Sequence, residues 1–225
     1  MSQKSEILPA VMPKTFDDLE RQVECVLPFT TAIQIDVMDG VFVGKRSWPF
    51  TTGEVPEVLP NAEEIFYEVH LMIDNPYDIG AAFISVGAKR IIAHIEVFDD
   101  VAAARACLCS WRALGAEVGI SLLLDTPLER ITPLLDEKIV DMVQVMSIAQ
   151  IGVQGNPFDE RAYSRLEELR LAYPWLMLAV DGGVSETNIR ALKEAGASHF
   201  GVGSAILNAR DPQAAYEHLC DSIKE

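Results

Sequence analysis

Basic residues are scarce in this chain. Its 225 residues carry 18 lysines and arginines against 34 aspartates and glutamates, a formal net charge of −16 at neutral pH. A surface of that sign repels nucleic acid and anionic membrane, so neither is an expected partner. It also opposes an anionic substrate, which must then be caught by local donors. Cysteine is sparse, at Cys25, Cys107, Cys109 and Cys220. Cys107 and Cys109 stand two apart in a helical stretch and face different ways, and no pair has zinc-site spacing. Free, mostly buried thiols in a reducing cytoplasm are expected. Long apolar runs are missing too, since none reaches the roughly 18 residues that span a bilayer. The opening Met1-Ser2-Gln3-Lys4-Ser5-Glu6 lacks the basic and apolar parts of a secretory signal. A cytoplasmic location is expected.

What is present is a regular alternation. Hydrophobic residues make up 49% of the chain, enough for a sizeable core. Strand-like runs fall at 7–11, 32–37, 65–71, 90–95, 117–123, 140–146, 175–180 and 199–202. Helical patterns follow at 15–26, 76–86, 99–114, 158–172, 185–195 and 211–223, while a long loop bearing glycine and proline follows the second strand. Thr15 is a candidate cap, and Thr126-Pro127-Leu128-Glu129 opens a further helix with Thr as cap and Pro at the first position. Eight strand-then-helix units, with several strands continuously apolar, predict a closed (β/α)8 TIM barrel. An open doubly wound sheet lacks its dinucleotide fingerprint after the first strand. No linker or low-complexity segment interrupts the pattern, so one domain over 1–225 is expected.

In such barrels the active site lies at the C-terminal ends of the strands. The second strand, Ile33-Gln34-Ile35-Asp36-Val37-Met38, turns at Asp39-Gly40. Period-two alternation points Gln34, Asp36 and Met38 one way. Leu178-Ala179-Val180-Asp181-Gly182-Gly183 repeats the design: an apolar strand, an aspartate at its end, then glycine. The third strand offers His70 at its end, and the fourth offers His94 and Glu96. His199 and His218 fall at a strand start and on an outer helix and carry no expected role. Gly182-Gly183 and Gly203-Ser204 fall in the loops after strands seven and eight, the frequent phosphate site of such barrels. Met38, Met72 and Met146 end their strands and form a candidate apolar floor.

These residues resemble the ribulose-phosphate 3-epimerase family over nearly the whole chain. The resemblance rests on Gln34-Ile35-Asp36-Val37-Met38-Asp39-Gly40-Val41-Phe42-Val43 and on Val69-His70-Leu71-Met72 with Asn75-Pro76. His94 and Glu96, Thr126-Pro127-Leu128-Glu129, Met146-Ser147, Val180-Asp181-Gly182-Gly183-Val184 and Gly203-Ser204-Ala205-Ile206 continue it. It implies an isomerase of carbohydrate metabolism that moves the C3 proton of a phosphorylated ketopentose through an enediolate. Asp36 and Asp181 would be the acid/base pair. A divalent metal (Zn, Fe or Mn) would be held by Asp36, His70 and Asp181, with Gln34 as a candidate fourth ligand. Gly152, Gly155, Gly182, Gly183, Gly203 and Ser204 would contact substrate and phosphate.

The chain also departs from the family. Gln34 stands where the family has its first metal-binding histidine, and an amide oxygen is a weaker ligand for zinc or iron than imidazole. A weakly held metal is therefore expected. Pro13 replaces a substrate-contacting serine, and Leu123-Leu124 replaces Asn-Pro. The loop after strand six, 149–156, is one residue longer. Lys45 and Arg46 are expected to be solvated surface. The expected partners are a phosphorylated sugar and further copies of the chain in a homo-oligomer. The expected function is C3 epimerisation of ribulose 5-phosphate. The alternatives are another ketose phosphate such as allulose 6-phosphate, a binder of sugar phosphate without turnover, or another proton-transfer or lyase reaction on the same scaffold.

Overall fold

Short runs rich in β-branched residues supply the strands of the barrel. In the computed structural model, which describes residues 5–149, 151–152 and 156–224, these are β1 (Glu6–Val11), β2 (Ala32–Met38), β3 (Phe66–Met72), β4 (Arg90–His94), β5 (Glu117–Leu122), β6 (Met142–Met146), β7 (Met177–Asp181) and β8 (His199–Val202). They pair in parallel in chain order, and β8 closes on β1. The helices are α1 (Phe16–Val26), α2 (Tyr77–Ser85), α3 (Val101–Ala113), α4 (Thr132–Asp136), α5 (Arg161–Ala172), α6 (Ile189–Glu194), α7 (Ser204–Leu207) and α8 (Pro212–Ile223). The Thr15 hydroxyl caps α1 by accepting from the Asp18 N–H at 3.1 Å. Asp100 and Asp211 do the same for α3 and α8.

The long loop expected after the second strand is present, and two other expectations change. No helix separates β2 from β3, because Gly40, Gly44, Pro49, Gly53, Pro56 and Pro60 break the intervening segment into turns. Thr126 caps nothing. Its hydroxyl bonds Glu96 instead, a 3-10 turn spans Leu128–Arg130, and the helix starts anew beside Pro133. The thiols are not mostly buried: Cys107 is buried and Cys220 half-buried, while Cys25 and Cys109 are exposed. The exposed pair sits on the solvent faces of α1 and α3, opposite the apolar residues that dock on the barrel.

Alternation along the strands divides the core into two layers. Ile33, Ile35, Val37, Val69, Ile91, Val143 and Leu178 join Leu19, Val23, Phe83, Leu108 and Leu166 of the helices in one large apolar cluster. The opposite strand faces fill the barrel, where the apolar part is small: Ile92, Met142 and Ala179, with Met177 against them. Below that layer Arg90 pairs with Glu68 at 2.6 Å and Glu117 at 2.7 Å. Above it the lumen turns polar, with Gln34, Asp36, His70, His94 and Asp181 gathered toward the mouth.

Helix α2 approaches α3 closely because Gly80 faces the buried Trp111 indole, whose Nε1–H donates to the Tyr77 carbonyl at 3.0 Å. A methyl group at position 80 would overlap that ring. Gly80→Ala should destabilise the fold by about 1–3 kcal/mol, seen as a lower thermal midpoint. Turnover per folded molecule should be unchanged, because the contact is on the outer layer.

Candidate active site

The mouth begins with β2. Its end is fixed by the buried Ser47, whose Oγ accepts from the Met38 N–H at 2.9 Å and donates to the Asp36 carbonyl at 2.8 Å. Asp39 folds the next turn, with one carboxylate oxygen accepting from the Val41 and Phe42 N–H groups and the other from the Asp74 N–H. These contacts leave Gln34 and Asp36 on the lumen face. In register, Gln34 pairs with Glu68 and Asp36 with His70.

Asp36 and Asp181 arrive from strands separated by β1 and β8. One side-chain amide joins them: Gln34 Nε2 donates to Asp36 Oδ1 at 2.8 Å and to Asp181 Oδ2 at 3.0 Å. This orientation follows from the network, since two carboxylates cannot donate to an amide oxygen. Gly201 makes room for it, because a Cβ there would stand 2.9 Å from Gln34 Oε1. His70 Nδ1 lies 3.4 Å from Asp36 Oδ1 and 3.2 Å from Asp181 Oδ2. Neither oxygen sits on the ring nitrogen's bonding axis, so Nδ1 is buried without a hydrogen bond among the described residues. The attraction is between charges rather than a directed bond. On the far side His70 Nε2 meets His94 Nε2 at 2.9 Å, and His94 Nδ1 meets Glu96 Oε2 at 3.1 Å.

Burial and the charge of Asp181 raise the pKa of Asp36, and contacts with His70 and Gln34 only partly offset this. For His70, burial opposes the charged form, but the two carboxylates outweigh it and push the pKa up to about 9. With no cation between them, the aspartates therefore hold an imidazolium. Asp36, His70 and Asp181 offer ligand atoms within 4.8 Å of one another. Together with the orphaned Nδ1, that set fits a divalent cation. Gln34 presents its N–H groups to the same point and is not oriented as a ligand.

Above the carboxylates lies a cavity of about 60 Å³, edged by Gly182, Gly183, Gly203 and Ser204. Among the described residues, the N–H groups of Gly183, Gly203 and Ser204 donate to no other protein group. Among the described residues, no lysine or arginine lines this space. The glycine turn is held from behind. Ser147 Oγ donates to the Gly182 carbonyl at 2.5 Å, and Asn188 Nδ2 to the Gly183 carbonyl at 2.9 Å. Backbone φ is +107° at Gly182 and +66° at Gly183, and a Cβ on Gly182 would meet Ile148. Ile148, Gly152 and Asn156 of the loop after β6 cover the cavity, while Gly155 lies outside the described residues.

The methionines divide. Met72 and Met146 line the cavity together with Met12. Met38 packs with Val43 and Met72 under Gly152, behind the lining. Lys45 and Arg46 are exposed, and Arg46 Nε donates to the Asp39 carbonyl at 3.0 Å. His199 is buried at the start of β8, with Nε2 3.3 Å from Glu6, and His218 is exposed on α8. His94 and Glu96, expected at the end of the fourth strand, pair there, while the support given by Ser47, Ser147 and Asn188 was not foreseen. Ser47 and Asn188 lie nine and seven positions beyond the ends of β2 and β7, too far for the strand pattern to mark them.

A closed parallel barrel with its polar lumen gathered at one mouth defines a TIM-barrel enzyme. The solved structures with this fold include KGPDC from Streptococcus mutans, with a TM-score of 0.76, 14% identity and 98% coverage of both chains. A 3-hexulose-6-phosphate synthase matches with a TM-score of 0.71 and 18% identity, covering 99% of this chain and 100% of that one. The chain belongs to the ribulose-phosphate 3 epimerase family, whose sequence model matches residues 6–207; it is an enzyme of the epimerase and isomerase class. Ribulose-phosphate 3-epimerase, cytoplasmic isoform, of Oryza sativa subsp. japonica is 30% identical over 224 residues, spanning 98% of this chain and 95% of its own length. Ribulose-phosphate 3-epimerase of Mycobacterium tuberculosis (strain ATCC 25618 / H37Rv) is 34% identical over 193 residues, spanning 83% and 80%. No described helix is long and apolar enough to cross a membrane.

The His70 charge gives a pH signature. Its folded pKa of about 9 lies above the ordinary value of 6.5, so its contribution is complete below about pH 6.5 and disappears as pH rises through 9. In chelator-treated protein, His70→Asn should therefore cost most stability near neutral pH and progressively less toward about pH 10. The pH-dependent part should be on the order of 2–3 kcal/mol. Thermal midpoints of parent and variant across that range check it, and a gap that does not narrow would contradict it.

Proposed function

We propose that this enzyme epimerises a phosphorylated ketose at C3, with ribulose 5-phosphate as the first candidate and allulose 6-phosphate as the second. The observation that carries this reading is the meeting of Asp36 and Asp181, from opposite sides of the mouth, beneath an amide-edged cavity. Inverting a carbon beside a carbonyl requires a base on one face and an acid on the other. Two carboxylates converging on one point meet that need. Burial and Asp181 already hold the Asp36 pKa high. Asp36 and Asp181 exchange the proton at C3, one removing it and the other returning it on the opposite face. His70 and the Gln34 N–H groups keep both carboxylates oriented toward the same point. Met12, Met72 and Met146 keep water from the carbanionic carbon. The N–H groups of Gly183, Gly203 and Ser204 receive the phosphate. Asp36, His70 and Asp181 would hold a divalent cation, which would supply Lewis-acid stabilisation of a developing oxyanion.

Asp36→Asn and Asp181→Asn should each reduce epimerisation by about 10²–10⁴-fold, as loss of a general acid/base typically does. Circular dichroism should show the fold retained. A coupled assay on each of the two ketose phosphates reads the loss, and near-parental turnover in either variant would refute two-base transfer.

Gln34 spends both N–H groups on the carboxylates that a cation needs, so the parent should hold less than one transition metal per chain as purified. Gln34→His should raise metal content, and affinity by at least about 10-fold. Elemental analysis and titration with Zn²⁺ measure both. A parent that already carries one tightly bound metal would overturn this expectation.

A further inference from the structure

The cluster of Asp36, His70 and Asp181 is backed by a buried chain that proton exchange does not use. Its members are His70, His94, Glu96 and Thr126, on β3, β4 and the two segments beyond β4 and β5. His70 and His94 are fully buried. Their rings stack at 5.0 Å between centroids, and Phe42 covers His94 at 4.9 Å. Sealed from solvent in this way, neither histidine chooses its tautomer freely, so the hydrogen bonds choose it.

Polarity can be followed from the outer end. Glu96 Oε1 accepts from the Leu123 N–H at 2.9 Å and from the Thr126 hydroxyl. A backbone N–H cannot reverse, so this oxygen is an acceptor. Burial favours the neutral carboxyl, yet the bonds from His94, Thr126 and Leu123 outweigh it and hold Glu96 below the usual carboxylate range. An ionised carboxylate only accepts, so His94 Nδ1 must carry the proton that it shares with Glu96 Oε2 at 3.1 Å. The other His94 nitrogen then has a lone pair. Across 2.9 Å it faces His70 Nε2, which must be the donor. The imidazolium held by the aspartates carries a second proton on Nδ1; a cation would displace that one, and the proton that stays is on Nε2. The nitrogen left bare is Nδ1, the atom found buried without a hydrogen bond beside Asp36 and Asp181.

We infer that Glu96 and His94 are positioning residues that fix the proton of His70 on Nε2 and so present Nδ1 as the lone-pair donor to a divalent cation. The polarity of the chain stands on its own hydrogen bonds, whereas its use for a cation rests on reading Asp36, His70 and Asp181 as a metal site. Partners of a ligating imidazole that fix its tautomer and orientation typically change metal affinity 10–100-fold when removed. Because Gln34 donates to the carboxylates and is not oriented as a ligand, the His70 tautomer carries a larger share of the binding.

The decisive variant is Glu96→Gln. The Leu123 N–H retains the amide oxygen, which turns the amide NH₂ toward His94. His94 must then accept at Nδ1 and donate from Nε2, and the His70 proton is driven onto Nδ1. The experiment labels the histidines with ¹⁵N, four in the chain, and reads their tautomers by long-range proton–nitrogen correlation. Spectra are recorded without metal and with ¹¹³Cd²⁺, alongside calorimetric titration with Zn²⁺. In the parent, His94 should be protonated on Nδ1, and bound ¹¹³Cd should couple to His70 Nδ1 and not Nε2. In Glu96→Gln the His94 proton should move to Nε2, with Zn²⁺ affinity falling at least about 10-fold. A parent His94 protonated on Nε2, cadmium coupling to His70 Nε2, or a folded variant with unchanged affinity would overturn the proposal. A parent with His94 protonated on Nδ1 that binds neither ion would uphold the relay and overturn the metal reading. Should the variant fail to fold, the parent spectra decide alone.

Discussion

Two carboxylates within one hydrogen bond of the same amide nitrogen are the constraint on which the mouth of this barrel depends. Asp36 and Asp181 are buried and close enough to share Gln34 Nε2. Two such charges repel strongly away from water. The surrounding structure answers that repulsion with both N–H groups of Gln34 and with the charge of the His70 imidazolium, whose pKa the same pair raises to about 9. Gly201 supplies the space in which Gln34 can turn, and Ser47 locks the strand end from which Asp36 projects. The arrangement costs the barrel much of its apolar lumen, which shrinks to a layer around Ile92, Met142 and Ala179. Stability comes instead from the outer layer between strands and helices.

Much of this was legible in the chain because it rests on short-range rules. Period two put Gln34 and Asp36 on one face, and the repeated pattern of apolar run, aspartate and glycine marked Asp36 and Asp181 as equivalent strand ends. Eight alternating units implied closure, and closure brings the second and seventh strands to one mouth. The glycine pairs after strands seven and eight could be placed from the same count. His70, at the end of the third strand, was legible from the same pattern, and the family resemblance added its role beside the two aspartates.

What was not legible depends on pairs far apart in sequence. Thr126 looked like a helix cap because of the Pro127-Leu128-Glu129 that follows it. The Glu96 carboxylate, 30 positions earlier, claims its hydroxyl instead. Asn188 looked like helix interior, yet its side chain reaches back to Gly183 and Ser185, and α6 starts later than the pattern suggests. Met38 shares parity with Asp36, but the strand ends beneath the covering loop, so its sulfur packs behind the cavity. The cysteines fell on whichever helix face the barrel left open, and apolar character alone does not determine that.

An anion in the cavity would be met by backbone N–H groups, with no cationic side chain among the described residues of its wall, inside a molecule of net charge −16. Peptide dipoles act over a few ångströms, whereas net charge acts over a Debye length, about 8–10 Å at physiological ionic strength. Attraction therefore begins only after the ligand has crossed a repulsive field. For a doubly charged sugar phosphate the encounter is uphill in dilute buffer, and dissolved salt lowers that barrier while scarcely touching the short hydrogen bonds inside. The association rate constant of this enzyme should consequently rise with ionic strength, the reverse of steered capture, leaving dissociation nearly constant. Its ligands are retained by geometry and not drawn in by charge.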